Sequence, residues 1–294
     1  NWEYFSRIRT KTPLGYMWEC PDLFFLDGQL CLICCPQGVP KAGLNYENVH
    51  QCVFMKVDGD FRTGEFSVRE EEVYHSVDRG FDFYAPQSFE DERGRRILIG
   101  WMGIPEADYT NPTEKDGWQH ALTLPRQLRI KEGRLIQTPL EELKGLRRQQ
   151  WSFERAESFN SAGEMLRREL GPVFEAELQF SDCRSMSLQL RRGTSLTWED
   201  GVLTLSMEEG GFGRTRRHGA LGKLEKLQIF SDVSSLEIFV NGGEQVFSSR
   251  VYADCGHDGE KTGGYLRLEG DCEASGTVYR LGGFSVEKRK ENDK

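Results

Sequence analysis

Short runs of alternating apolar residues, each closed by turn residues, recur along this chain and leave few folds open to it. Residues 174–180, Phe-Glu-Ala-Glu-Leu-Gln-Phe, put Phe174, Ala176, Leu178 and Phe180 on one face of a strand and polar residues on the other. Residues 186–190, 202–207, 227–230, 236–240 and 265–268 follow the same rule, and Asn241-Gly242-Gly243 supplies a hairpin turn. In the first half, 23–26 runs into Asp27-Gly28 and 30–34 follows, which predicts a hairpin. Residues 53–57 meet a second Asp-Gly turn at Asp58-Gly59, and 65–68 follows Thr63-Gly64. Residues 81–85 and 96–101 flank the polar stretch Glu90-Asp91-Glu92-Arg93-Gly94. Regular short strands of this kind predict an all-β sandwich, barrel or propeller. The clean alternation of the second half predicts an antiparallel sandwich with one buried face per sheet. One stretch is helical in spacing: Leu140, Leu143 and Leu146, with Thr138 to cap and Pro139 at the first position. This gives a β-domain over 1–137, a short helical linker over 138–150 and a β-sandwich over 151–294.

Composition narrows the function classes. A net charge of -9 disfavours a basic surface for nucleic acid or anionic lipid. No apolar run reaches the length of a membrane span. The eight cysteines follow no framework spacing, and 294 residues bury a core without staples. Free thiols in a reducing compartment are expected, hence a cytoplasmic location. Cys31, Cys34 and Cys35, with His50 and Cys52 downstream, invite a zinc site, but a second well-spaced Cys/His pair is missing. Buried thiols in a hairpin are the stronger reading, and the expectation is no metal and no cofactor. The chain has no glycine-rich phosphate loop, no Ser-His-Asp order and no HExxH helix. Its one Asn-x-Thr, at Asn111, is blocked for glycosylation by Pro112.

The chemistry-bearing stretch is residues 17–25, Met-Trp-Glu-Cys-Pro-Asp-Leu-Phe-Phe. Glu19 is a poor strand residue set among apolar neighbours. On these residues alone, a strand-edge glutamate facing water is the favoured reading. Other segments change the balance. Residues 17–24 resemble the Glu-Cys-Pro signature of glycoside hydrolase family 32, the invertases and fructan hydrolases. Residues 78–87, Asp-Arg-Gly-Phe-Asp-Phe-Tyr-Ala-Pro-Gln, resemble its D-x-G-x-D-F-Y-A-x-Q segment. Gly100-Trp101-Met102, then Gly117-Trp118 through Leu124-Pro125-Arg126-Gln127-Leu128, resemble its later segments, and residues 235–241 resemble its C-terminal domain. Pro86-Gln87 and the run 95–101 are most similar to the branch that acts on sucrose 6-phosphate.

The resemblance implies a five-bladed propeller, of which this chain holds about the last three blades, followed by the sandwich. It implies retaining hydrolysis of a β-fructofuranoside, sucrose or sucrose 6-phosphate. Retention uses two carboxyl groups about 5–5.5 Å apart, one as nucleophile and one as acid and then base. Glu19 becomes the acid/base, which needs a raised pKa from an apolar wall such as Trp18, Cys20, Pro21 and Phe24. Tyr84 and Trp101 become substrate-lining aromatics, with core packing as the competing role. Cys20 touches the sugar or tunes Glu19. Asp22 reads as a structural turn acceptor, and Asp78 and Asp82 as structural or supporting residues.

One departure matters. The family's nucleophile lies in Asn-Asp-Pro-Asn-Gly and a second sugar-binding aspartate in Arg-Asp-Pro, both upstream of Glu-Cys-Pro, and neither motif occurs in this sequence. The expected partners are therefore the fructoside and either a complementing N-terminal half or a second copy, with no nucleic acid and no membrane. The competing function is a non-catalytic carbohydrate-binding or assembly fragment. Fructosyl transfer in place of hydrolysis stays open, and the second half is expected to carry no catalytic residue.

Overall fold

The computed structural model describes residues 1–156, 171–252 and 266–283. The first 139 residues form two antiparallel sheets. One orders β1 (Met17–Leu26), β2 (Gln29–Gln37), β3 (Val53–Asp60) and β4 (Glu65–Val68), with β5 (His75–Ser76) also on β3. The other takes β6 (Tyr84–Glu90), β7 (Arg96–Trp101), β8 (Arg126–Lys131) and β9 (Arg134–Pro139) in sequence order. About three such sheets were expected and two are found, because residues 1–16 form no strand and loops occupy much of 38–52 and 102–125.

The second half pairs β10 (Arg147–Ala156), β11 (Phe174–Ser181), β12 (Ser185–Arg191), β13 (Thr194–Glu199), β14 (Val202–Met207) and β15 (Arg216–Ala220) with β16 (Lys226–Asp232), β17 (Ser235–Val240), β18 (Gln245–Arg250), β19 (Arg267–Glu269) and β20 (Glu273–Leu281). They form a six-stranded sheet, β10-β20-β11-β16-β17-β18, and a five-stranded sheet, β15-β14-β13-β12-β19. Both sheets feed one core: Phe174, Leu178, Ile229 and Ile238 from the first meet Leu188, Leu196, Trp198 and Leu205 from the second. Each such side chain, taken fully out of water, stabilises by about 1.5–3 kcal/mol. The strand predicted over 265–268 is shorter, Arg267–Glu269, and Tyr265 lies outside the described residues.

The turns show where residue type decides and where neighbours do. Asp27 and Gly28 both take positive φ, 48° and 80°, and Leu26 pairs with Gln29, so the predicted two-residue hairpin forms. Asp58-Gly59 does not turn. β3 runs through it to Asp60, and Gly59 lies under the Phe66 ring, where a Cβ would stand 2.1 Å from a ring carbon. The glycine serves close packing there. The predicted link helix is a 3-10 segment, Glu141–Leu146; Thr138 and Pro139 still belong to β9, and no side chain caps the segment. Arg147 already opens β10, so the linker is shorter than 138–150.

The two halves lock together through buried charge. Arg126, on β8, donates to Asp78 (3.0 Å), to Glu237 of β17 (2.8 Å) and to Ser248 of β18 (2.5 Å). Asp82 accepts from Nε and Nη2 of Arg214, each at 2.8 Å, and from the backbone N–H of Arg250. Gly80 lets the backbones meet, since a Cβ there would lie 2.0 Å from the Ser248 carbonyl. Phe81, beside it, enters the second half's core. Arg126→Met is expected to lower stability by about 3–5 kcal/mol, because Asp78 and Glu237 stay buried without their cation. Denaturant unfolding measures this; a change within about 0.5 kcal/mol, the range of ordinary surface substitutions, would show that the network does not hold the halves.

Candidate active site

β1 and β6 carry the same backbone device. In β1, Glu19 pairs with Cys35 and Asp22 with Ile33, so Cys20 and Pro21 together face one residue. In β6, Tyr84 pairs with Trp101 and Gln87 with Ile99, so Ala85 and Pro86 do the same. Each proline lacks the N–H that a ladder needs, so each sits in a bulge. Each preceding residue takes a left-handed φ, 47° at Cys20 and 46° at Ala85. Such a backbone costs about 1–3 kcal/mol per residue for a side chain other than glycine. The bulges re-aim the residues before them, Glu19 and Tyr84, toward each other.

The Tyr84 hydroxyl donates to Glu19 Oε2 at 2.9 Å, and Gln37 Nε2 donates to the same oxygen at 3.0 Å. Tyr16 donates to Gln37 Oε1 at 2.9 Å and so fixes which way that amide faces. Glu19 Oε1 has no hydrogen-bond partner among the described residues, and the side chain is half-buried. The carboxyl group is thus held by one oxygen and open at the other. Burial, then the bond to Glu19, push the Tyr84 hydroxyl far up, so it stays a donor. Burial also raises the Cys20 thiol, helped by Cys35 and Glu19, so Cys20 is a neutral neighbour. Asp22 Oδ2 accepts the backbone N–H of Ser88 at 2.8 Å, tying β1 to β6 just past both bulges.

The expected apolar wall is only partly right. Cys20 and Phe24 join the cluster that holds Tyr84, whereas Trp18 packs in the other cluster and Pro21 is exposed. Strand alternation sends Trp18 to the opposite face from Glu19. The same rule splits the cysteines of β2: Cys31 and Cys35 face one cluster, Cys34 the other. They are free thiols buried as small apolar residues.

Trp101 stands across the ladder from Tyr84 and donates its indole N–H to His120 Nδ1 at 3.0 Å. It lines a cleft of about 250 Å³ with Met102, Gly103, Ile104, Tyr109 and His120. A cleft of about 510 Å³ elsewhere, lined by Lys56, Glu71, Arg134 and Glu244 among others, holds none of the four predicted residues. Four of its charges are already paired, Lys56 with Glu71 at 3.5 Å and Arg134 with Glu244 at 2.9 Å, so the smaller cleft, which Trp101 lines, is the better candidate. Of the four, only Trp101 lines this cleft; Glu19, Cys20 and Tyr84 are joined to it by the Tyr84–Glu19 bond, the Tyr84–Trp101 pairing and a shared cluster. Asp82 also lines the cleft of Trp101, with both carboxylate oxygens held by Arg214, whereas Asp78 is buried against Arg126 and takes no part in it.

Sequence reasoning missed Gln37, Tyr16 and His120, which lie on other strands and loops and carry no local signal. It weighed His50 only for a zinc site, whereas its buried ring packs 6.2 Å from that of Tyr84. Its Nε2 approaches Glu106 at 3.3 Å without hydrogen-bond geometry.

The fold is that of β-rich glycoside hydrolases. Sucrose-6-phosphate hydrolase from Lactobacillus gasseri superposes with a TM-score of 0.80 at 26% identity, over 92% of this chain and 56% of that one. The family 32 beta-fructofuranosidase of Bombyx mori gives 0.74 at 31% identity, over 91% and 55%, and a mutant of it has been solved in complex with sucrose. Residues 1–139 match the N-terminal domain, and residues 142–270 the C-terminal domain, of the glycosyl hydrolases family 32. The chain belongs to that family. Among curated relatives, the sucrose-6-phosphate hydrolase of Staphylococcus xylosus is 37% identical over 278 residues, and that of Salmonella typhimurium 40% over 253. These alignments cover 89% and 82% of this chain but 55% and 49% of the relatives. The chain spans about half the length of the curated relatives it matches.

Proposed function

We propose that this chain is the acid/base-bearing part of a retaining β-fructofuranosidase that cleaves sucrose or, by the names of its curated relatives, sucrose 6-phosphate. The observation that carries the reading is the Glu19 carboxyl group, clamped at Oε2 by Tyr84 and Gln37 and open at Oε1. Oε1 would protonate the glycosidic oxygen as the glucosyl group leaves, then take a proton from the water that releases fructose. Trp101, held edge-on by His120, would offer its face to the sugar's C–H surface. Cys20 would contact the sugar as a neutral group.

The nucleophile comes from a segment outside this sequence. In this reading the two sheets of the first half are blades of a five-bladed propeller that the segment completes, and the second half is a β-sandwich that supports it without contributing to catalysis. The free thiols of the described cysteines fit a cytoplasmic setting. The second reading, a non-catalytic sugar-binding or assembly fragment, is favoured by one observation: neither the nucleophile motif nor the sugar-binding Arg-Asp-Pro occurs here. The test is kinetic. An assembly of this chain with an upstream family 32 segment should release glucose 6-phosphate from sucrose 6-phosphate at a kcat/KM at least ~10-fold above that for sucrose, the difference that about 1.4 kcal/mol of phosphate recognition supplies. Equal values would assign it to free sucrose, and sugar binding without turnover would favour the second reading.

A further inference from the structure

We propose that Cys183 and Cys272 form an oxidation site, where an intrachain disulfide staples the β11–β12 turn to the start of β20. The two thiols are near enough to perturb each other's titration, both pack against the core of the second half, and both side chains are partly exposed. The backbone brings them together from both sides. Ser181 of β11 pairs with Glu273 of β20, and the Arg184 N–H donates to the Asp271 carbonyl at 2.8 Å. Cys183 and Cys272 lie between these two anchors, on neighbouring antiparallel segments, the kind of placement from which a disulfide can close. Another such pair, Cys35 with Cys52, is sealed in the core of the first half, where an oxidant has no approach.

The oxidant is a low-molecular-weight disulfide such as glutathione disulfide. One protein thiolate attacks it, a protein–glutathione S–S bond forms and one glutathione leaves as thiolate. The second protein thiolate then attacks that mixed disulfide, forms the Cys183–Cys272 bond and expels the second glutathione. Two electrons pass from the protein pair to the oxidant, and the two thiol protons end on the two glutathiones. Burial, the neighbouring thiol and Asp271 push Cys183 up to about 12, and burial with Asp271 also raises Cys272. The bond therefore forms slowly and faster at higher pH. Once made it resists reduction, because the thiolates it would return to are poorly stabilised. The two cysteines are about 90 residues apart, so the bond closes a long loop and removes much freedom from the unfolded chain.

The test uses the intact chain, incubated at pH 8 with glutathione disulfide, quenched by alkylation and mapped by mass spectrometry. The expected product is a Cys183–Cys272 linked peptide with a mass about 2 Da below the two free thiols. The thermal midpoint of the oxidised chain should rise by about 5 °C or more, and reduction should reverse the rise. Cys183→Ser and Cys272→Ser should each abolish the rise. Both thiols alkylated after prolonged oxidation, a stable glutathione adduct at either residue, or a link from either to any other cysteine would overturn the proposal. Because the peptide map is made on the unaltered chain, it decides the matter even where a serine variant folds poorly.

Discussion

Glu19→Gln, assayed in the assembly of this chain with an upstream segment, is expected to lose ~10²–10⁴-fold of its turnover on sucrose while still binding the sugar. Glutamine keeps the oxygen that accepts from Tyr84 and Gln37, so the clamp at Oε2 survives. What it removes is the proton at the open position. A fructoside with a leaving group that needs no protonation should lose far less in the first step, since its departure does not wait for an acid. That contrast separates a lost proton donor from a damaged site, which would slow both substrates alike. Near-full activity of Glu19→Gln on sucrose would end the assignment.

The parts of the fold that the sequence disclosed are those where one residue type answers a local demand. Asp27-Gly28 turns because both positions need positive φ, and 174–180 alternates because one face of β11 meets the core. The parts it concealed depend on a neighbour far away in the chain. Asp58-Gly59 has the same letters as the first turn, but Phe66 claims the space above Gly59 and the strand continues. The carboxylates of the second half were expected on its wet phase. Glu237 is instead buried, because that face of β17 packs on the first half through Arg126 and Leu124. A hint was present, since Phe239 and Phe230 make that phase apolar as well.

The site divides in the same way. Glu19, Cys20, Tyr84 and Trp101 were reachable because they stand in contiguous motifs, and the structure brings them together at the ends of β1, β6 and β7. What aims them was not reachable from pattern. The bulges at Cys20-Pro21 and Ala85-Pro86 show in sequence only as two prolines inside strands. The clamp depends on Gln37, whose partnership with Glu19 follows from the β1–β2 register.

The chain alone is expected to show no hydrolysis of sucrose above background. A retaining mechanism needs one carboxylate to form the fructosyl–enzyme bond and another to protonate the leaving group, and Glu19 cannot do both. The two aspartates nearest in sequence to Tyr84 are unfit to replace the nucleophile. Asp82 is bound at both oxygens by Arg214, and Asp78 is spent on Arg126, Gly80 and Ser248. Moving either would break the lock between the halves. Trp2, Tyr4, Phe5, Tyr16 and Met17 are exposed, apolar area that is available for contact with another chain. Left bare, it should drive self-association, and mixing with an upstream family 32 segment should reduce that association and restore glucose release. The measurement is glucose release from sucrose by the purified chain, after mass spectrometry has shown that no longer species is present. Steady turnover under those conditions would sink the divided-site reading. A carboxylate of this chain would then have to be the nucleophile, with Asp82 the first to replace by asparagine, and its bidentate bond to Arg214 would have to open during the reaction.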